Sequence, residues 1–323
     1  MPRALLTEAK ANKKDEFYTQ LIDIERELKH YESHFAEKVV YCNCDDPRIS
    51  NFFKYFSFNF KKLGLKKIFT ACYKSQEDDL FAFKENEPAV YIESNSGDND
   101  PDFVNRSIRV FKGDGDFRSS ESINILMQSD IVVTNPPFSL FREYVAQLIK
   151  YNKRFLIVGN INAITYKEIF GLIKENKAWL GINLGRGISG FIVPENYELY
   201  GTEVEIDASG NRIISPNNCL WLTNLDTFKR HEDIPLTKKY AGNELDYPRY
   251  DNYDAINVDK TQDIPRDYTG FMGVPITFLH KFNPEQFELV KFRKGDDDND
   301  LSINGKCPYF RIIIKNKKLV ALQ

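Results

Sequence analysis

An excess of positive charge is the first thing this chain lacks. Its 44 lysines and arginines stand against 47 aspartates and glutamates, giving a formal net charge of -3 over 323 residues. A protein coated in basic residues is excluded, although nucleic acid needs only a local positive face. Cysteine is scarce and odd in number (Cys42, Cys44, Cys72, Cys219 and Cys307), which argues against a fully paired disulfide framework. No apolar run approaches the roughly 18 residues of a membrane span or follows a basic start, so a reducing cytoplasm and no membrane are expected. His30 and His34, four apart on a helix, could in principle surround zinc with Cys42 and Cys44. One residue between the cysteines is tight for such a site, and strand cysteines are usually just buried, so no metal is expected. The acidic run at 295–300 lacks the later Gly and Glu of a calcium loop and reads as solvated. Also missing are an internal repeat, a Ser, His and Asp arrangement and a phosphate loop of the Walker type.

What is present fits an ordinary globular chain, 42% hydrophobic and 28% charged, long enough for one large domain or two. A charged helical stretch covers 22–34. Apolar runs at 38–44, 66–73, 109–111, 130–134, 154–160 and 178–183 read as strands, with a strand-like island at 89–93 inside an otherwise polar insertion at 73–107. Between several of them lie amphipathic stretches, clearest at 140–151, where Leu140, Phe141, Tyr144, Val145, Leu148 and Ile149 recur at helical spacing. Such alternation predicts an α/β fold, with a doubly wound, mostly parallel Rossmann-like sheet. Beyond Pro194 the pattern changes to an antiparallel hairpin, with strands at 203–206 and 213–214 about a turn at 208–211, then a strand at 219–222. From 226 to 267 Asp, Asn, Tyr, Pro and Lys dominate with little period, and order returns at 274–279, 283–292 and 309–314, so a smaller, irregular C-terminal region (226–323) is expected after a core at 1–225.

The strongest chemical signal is Asn135-Pro136-Pro137-Phe138, directly after the apolar run ending at Thr134. A strand that stops in two prolines cannot continue its ladder, so the Asn side chain and the Pro136 carbonyl face the space beyond its carboxyl end. An exocyclic amino group on a flat base, adenine above all, could donate both hydrogens to that acceptor pair while its ring stacks on Phe138. The nitrogen lone pair would then be free to attack, as methylation at nitrogen requires. A helix-preceding turn is the plain alternative.

Four strings in register carry a resemblance: Asp15-Glu-Phe-Tyr-Thr19, Gly113-Asp-Gly-Asp-Phe117, the tetrapeptide at 135–138, and Met272-Gly-Val-Pro-Ile-Thr-Phe278. In this order, over nearly the whole chain, they resemble the adenine-specific DNA methyltransferases of the EcoRI modification methylase family. The resemblance implies S-adenosylmethionine as methyl donor, N6 of adenine in duplex DNA as acceptor, extrusion of the target base, and a DNA-reading region after the core. It also implies a role in a restriction-modification system, with a possible cognate endonuclease, or as an orphan methylase. Residues matching the family's cofactor motifs are Phe17, Tyr18 and Thr19, then Asp46 and Pro47 with Asp45 as the substitute, then Asp116 and Phe117 with Asp114 as the substitute. Where relatives have a glycine-rich turn after Asp-Pro, Arg48-Ile-Ser-Asn51 follows here and the glycines are missing. A helix start with free backbone amides can still meet a carboxylate at that place.

Contacts to DNA are expected from Arg186 in the loop Gly185-Arg-Gly-Ile-Ser-Gly190, and from Lys238, Lys239, Arg249 and Arg266, which are interleaved with Tyr240, Tyr247, Tyr250 and Tyr253. Trp221 is the candidate second stacking face opposite Phe138, with a core position as its alternative. Two other readings stand beside the DNA methylase: an amino-group methylase acting on RNA or a protein glutamine, and a DNA-binding module without catalysis.

Overall fold

The computed structural model describes residues 18–73, 88–98, 101–183, 188–193, 204–206, 210, 212–214, 218–292, 300–308 and 310–318. Phe17 and Arg186 lie outside the described residues, as does most of the turn at 208–211. The chain divides into two compact units, Met1–Ile164 with Leu180–Leu225, and Thr165–Trp179 with Asp226–Gln323. Among the described residues no helix is long and apolar enough to cross a membrane.

In chain order the strands up to residue 225 are β1 (Tyr18–Thr19), β2 (Val39–Cys42), β3 (Lys67–Cys72), β4 (Val90–Ser94), β5 (Arg109–Val110) and β6 (Ile131–Thr134). They continue with β7 (Arg154–Asn160), β8 (Trp179–Leu180), β9 (Phe191–Val193), β10 (Val204–Ile206), β11 (Arg212–Ile214) and β12 (Cys219–Thr223). Eight of them form one sheet in the order β5-β4-β3-β2-β6-β7-β12-β8. Its centre is parallel, β3 to β2, β2 to β6 and β6 to β7. Every residue of β2 and β6 is buried, so both strands read as continuous apolar runs without alternation, as strands covered on both faces do. Asp130 fixes their alignment: its amide donates to the Val39 carbonyl at 2.9 Å and its carboxylate accepts from the Val39 amide at 2.8 Å.

The flanks correct the expectation of a mostly parallel sheet. β4 runs antiparallel to β3, β5 antiparallel to β4, and β12 antiparallel to β7, so the sheet is mixed. An apolar run reveals that a strand is buried, not which way its neighbour runs. The polar insertion also holds a helix at Pro101–Ser107 that sequence pattern did not reveal. The expected hairpin is present as β10 and β11, but it belongs to a second sheet, β1-β9-β11-β10, in which Thr19 pairs with Phe191 and Tyr18 with Ile192.

Helices follow the apolar spacing closely. Phe141, Tyr144, Val145 and Leu148 line the buried face of the helix Phe141–Lys150, and Ile24 and Leu28 that of Leu21–Leu28. That second helix also buries two carboxylates. Glu27 accepts from the amides of Ile182 and Asn183 and from the Tyr31 hydroxyl, and Asp23 accepts from the amide and hydroxyl of Ser189.

The C-terminal unit is more regular than its composition suggests. Strands β13 (Ala255–Asn257), β14 (Phe271–Pro275), β15 (Phe287–Phe292) and β16 (Arg311–Asn316) form a sheet in the order β13-β14-β16-β15. Ile256, Met272, Leu289 and Ile312 to Ile314 are buried there, and the helix Lys167–Lys174 joins this unit with Phe170 set 5.2 Å from Phe292. Residues 226–323 are thus not simply irregular: the ordered segments expected at 274–279, 283–292 and 309–314 overlap β14, β15 and β16, and what the sequence did not reveal is that they pair, with β13, into one sheet.

Candidate active site

Four chain segments lie at, or are tied to, the carboxyl ends of the central strands. The first is the tetrapeptide. Asn135, Pro136 and Pro137 are buried, and Phe138 opens a short 3-10 turn, half-buried, with its ring edge-to-face on Phe191 at 6.2 Å. Phe191 is itself buried and lies opposite Thr19 in the β1 to β9 pairing, so the second sheet lends the tetrapeptide a side wall.

The second and third segments are β1 and the turn after β2. Asn51 Nδ2 donates to the Thr19 carbonyl at 2.9 Å, tying β1 to the first turn of the helix Asn51–Phe58. Ser50 is the N-cap of that helix and accepts from the Phe53 amide at 3.1 Å. Thr19 is buried, and its hydroxyl has no hydrogen-bond partner among the described residues. Between β2 and the helix, the turn manages without glycine because Asp46 braces it. The Asp46 carbonyl accepts from Ile49 and Ser50, and its carboxylate accepts from the Arg48 amide (2.8 Å) and from the Arg48 guanidinium.

Asp45 points elsewhere. It is 5% exposed, and its two oxygens accept from Ser50 Oγ (2.9 Å) and Thr134 Oγ1 (2.7 Å). Burial pushes its carboxyl up to about 7 against the pull of those two hydroxyls. Both oxygens of its carboxylate are thus engaged by hydroxyls inside the protein.

The fourth segment is the turn 113–119. Gly115 sits at φ 74°, and a Cβ there would lie 2.7 Å from both the Cys72 carbonyl and Ala89 Cβ, so only glycine lets the turn approach the end of β3 this closely. Asp114 Oδ1 accepts from the Asp116 amide at 3.0 Å. Asp116 repeats the Asp46 arrangement: its carboxylate accepts from the Arg118 amide (2.8 Å) and from Arg118 Nε (2.9 Å) and Nη2 (2.7 Å). Phe117 is buried, edge-on to Tyr144 at 5.0 Å. Ser119 caps the next helix, accepting from the Ser122 amide at 3.2 Å.

Trp221 is 0% exposed and packs edge-on to Phe52 at 6.2 Å within the main core. A side chain without solvent contact cannot stack on an incoming base, so Trp221 is a core residue and not the second stacking face. In the C-terminal unit Lys238, Lys239 and Arg249 are exposed and Arg266 is half-buried. The Arg266 amide donates to the Lys238 carbonyl at 3.0 Å. Tyr240 lies 4.6 Å from Tyr268, and Tyr268 foremost, with Asp254 and Tyr240, holds the Arg249 guanidinium above its ordinary range. Tyr247 and Tyr250 are buried, with hydroxyls donating to the Asp263 carbonyl and to Asn257 Oδ1, and so belong to the unit's interior.

Sequence reasoning overlooked Ser50, Asn51 and Phe191. An N-cap preference at Ser50 was readable from the sequence; nothing local marks Phe191, which matters only through sheet pairing. Among the described residues no group of three or more His, Cys, Asp or Glu side chains is arranged to hold a metal ion.

A family model described as adenine-specific methyltransferase EcoRI matches residues 5–317. The Type II methyltransferase M.EcoRI of Escherichia coli is 68% identical over 316 residues, covering 98% of this chain and 97% of that relative. Type II methyltransferase M.MgeORF184P of Mycoplasma genitalium is 37% identical over 333 residues, covering 96% and 98%. Type II methyltransferase M.MpnI of Mycoplasma pneumoniae is 37% identical over 335 residues, covering 97% and 98%. No solved structure matches the chain.

Proposed function

We propose, from the premise that the chain belongs to the EcoRI family of adenine-specific methyltransferases, a division of labour among the four segments at the sheet's carboxyl edge. The activity itself follows from the family: site-specific methylation of adenine in DNA. The proposal concerns the donor, the extruded base and the residues that serve each.

The donor is S-adenosylmethionine, which when bound supplies an electrophilic methyl group on a sulfonium centre. The residues here suit it. The buried Thr19 hydroxyl lacks a partner among the described residues and can bond a polar group of the donor's amino-acid end. Beside it the first turn of the helix Asn51–Phe58 favours negative charge, within the frame held by Asp46 and Pro47. Asp116 accepts from the exocyclic amine of the donor's adenine, since its carboxylate stands on the turn that closes against the end of β3 and a carboxylate oxygen is an acceptor. Asp114 and Phe117 shape that turn, and Phe17 and Tyr18 belong with Thr19.

Asn135 Oδ1 and the Pro136 carbonyl accept both hydrogens of the target amine and leave its lone pair for attack. The nucleophile is neutral, so orientation matters more than a strong base. Reaching this depth requires the adenine to leave the duplex, at a cost of a few kcal/mol. Stacking on Phe138 offsets it by roughly 1 to 3 kcal/mol. Residues 226–323 serve as the reading region, with Lys238, Lys239, Arg249 and Arg266 on the phosphates or base edges beside Tyr240 and Tyr268, and with Arg186 of the core as a further contact. An endonuclease cutting the same site is the partner such a mark would oppose.

One observation carries this reading: the acceptor tetrapeptide ends a central buried strand with β1 and a capped helix start beside it. Asn135→Ala should slow methyl transfer about 100-fold to 1,000-fold, the loss seen when one preorganised hydrogen-bonding group leaves an active site. Single-turnover kinetics on duplex DNA measure the rate, and single-molecule sequencing reads the modified base. A near-normal rate would reduce the tetrapeptide to a turn.

A further inference from the structure

Directly behind Asn135 the hydrogen bonds need one more proton than the hydroxyls hold. Thr134 Oγ1 faces two acceptors, the Asn43 carbonyl and Asp45 Oδ2, the latter at 2.7 Å. A hydroxyl donates only once. With Asp45 ionised, one of these oxygen pairs would have no hydrogen between its atoms. A proton on Asp45 Oδ2 removes the conflict: the carboxyl donates to Thr134 Oγ1, and Thr134 donates to the Asn43 carbonyl. The other carboxyl oxygen, Oδ1, accepts from Ser50 Oγ at 2.9 Å, and Ser50 Oγ in turn accepts from the Phe53 amide at 3.1 Å. Every hydrogen bond in the series then has one donor and one acceptor.

We propose that Asp45 works as a neutral carboxylic acid and is a positioning residue, locking the strand end that carries Asn135 to the N-cap of the helix Asn51–Phe58. The inference rests on the reading of that strand end and helix as the two sides of the methyl-transfer site. Its role is to keep amine acceptors and helix start in one register, through Thr134 on one side and Ser50 on the other.

The surroundings agree. Burial pushes the Asp45 carboxyl up to about 7, and its ionisable neighbours are acids. Asp46, alongside, raises it further, with its own charge held by Arg48. The Cys42 thiol and the Tyr144 hydroxyl, both buried, are pushed well above their ordinary ranges chiefly by burial and stay neutral. Because the folded value lies above that of an ordinary carboxylate, the linkage has a definite sign: the relay is complete at lower pH and is lost as pH rises through about 7.

The test uses the full chain with duplex DNA and saturating S-adenosylmethionine, between pH 5.5 and 9. Asp45→Asn keeps a donor for Thr134 and an acceptor for Ser50 but cannot ionise. It should transfer methyl groups within roughly threefold of the parent at pH 6, and the ratio of its rate to the parent's should climb with pH by up to tenfold per unit above the parent's transition. Asp45→Ala and Thr134→Val should be slow throughout. Melting curves of the same proteins without DNA or cofactor provide a second readout, in which the advantage of Asp45→Asn over the parent should grow with pH. An Asn variant as slow as Ala at every pH, an Asn variant that fails to fold, or a rate ratio and a melting difference that ignore pH would each overturn the relay. Melting curves that follow the expectation in a protein that methylates nothing would uphold the relay and overturn the methyltransferase reading.

Discussion

Replacing Asn51 by alanine removes one hydrogen bond and nothing from the core. Asn51 is half-buried, and its Nδ2 donates to the Thr19 carbonyl at 2.9 Å. Among the described residues β1 also pairs with β9 at two positions. Leaving a partly buried carbonyl without its partner costs about 1 to 2 kcal/mol. At about 1.4 kcal/mol per factor of ten, that loss should weaken S-adenosylmethionine binding roughly 5-fold to 30-fold. Since the bond holds a two-residue strand rather than the main sheet, the melting temperature should fall by no more than about 4 °C. Titration calorimetry reads the affinity directly, and single-turnover transfer at saturating cofactor should stay near the parent rate. An affinity within twofold of the parent, or a slow transfer step at full occupancy, would refute the assignment of Thr19 and the helix start to the cofactor side.

Other substitutions separate the remaining roles. Asp116→Ala should weaken cofactor binding by roughly 1.5 to 3 kcal/mol, the worth of a hydrogen bond to a charged group; unchanged affinity by calorimetry would take Asp116 out of the site. Trp221→Ala should cost about 3 to 5 kcal/mol of stability by denaturant unfolding, while the DNA affinity of the folded protein stays as it was. Replacing Lys238 and Arg249 together by alanine should weaken DNA binding and flatten its dependence on log salt by about 0.9 for each phosphate no longer neutralised. An unaltered salt slope would move the reading surface away from these two residues.

Much of the proposed site could be read from the sequence because its chemistry is local. The tetrapeptide, the two Asp-containing turns and Thr19 are contiguous strings whose residue types state their hydrogen-bonding capacity, and the runs that became β2, β6 and β7 are long and uninterrupted enough to mark the centre of a sheet. What escaped depends on partners far away in sequence. β12 reads as apolar whether it runs with or against β7, and its antiparallel pairing from Cys219 with Asn160 to Thr223 with Leu156 is set by tertiary packing. Trp221 illustrates the same limit: an aromatic on a late strand suits a base or a core equally well until Phe52 and the core cluster surround it. In the C-terminal unit the ordered runs at 274–279, 283–292 and 309–314 were legible, but β13 has only three residues inside the polar stretch 226–267, and the pairing order β13-β14-β16-β15 is set by contacts far apart in sequence.

The two acidic turns share a geometry that accounts for the missing glycines. In Asp46-Pro47-Arg48 and in Asp116-Phe117-Arg118, the arginine two residues on gives its amide to Asp Oδ1 at 2.8 Å and its guanidinium to the same carboxylate. A glycine-rich turn achieves close backbone approach by having no side chains. These turns hold their course through a side chain that bonds its own backbone, and at Gly115 the Cys72 carbonyl forbids a Cβ. The same pairing sets a guanidinium against each of the two carboxyl groups. With Asp45 protonated as well, the site offers the amine oriented acceptors and little uncompensated negative charge. That suits a transfer in which the attacking nitrogen gains positive charge only as the donor loses it, because a bare carboxylate would stabilise the charged donor before reaction about as well as the transition state.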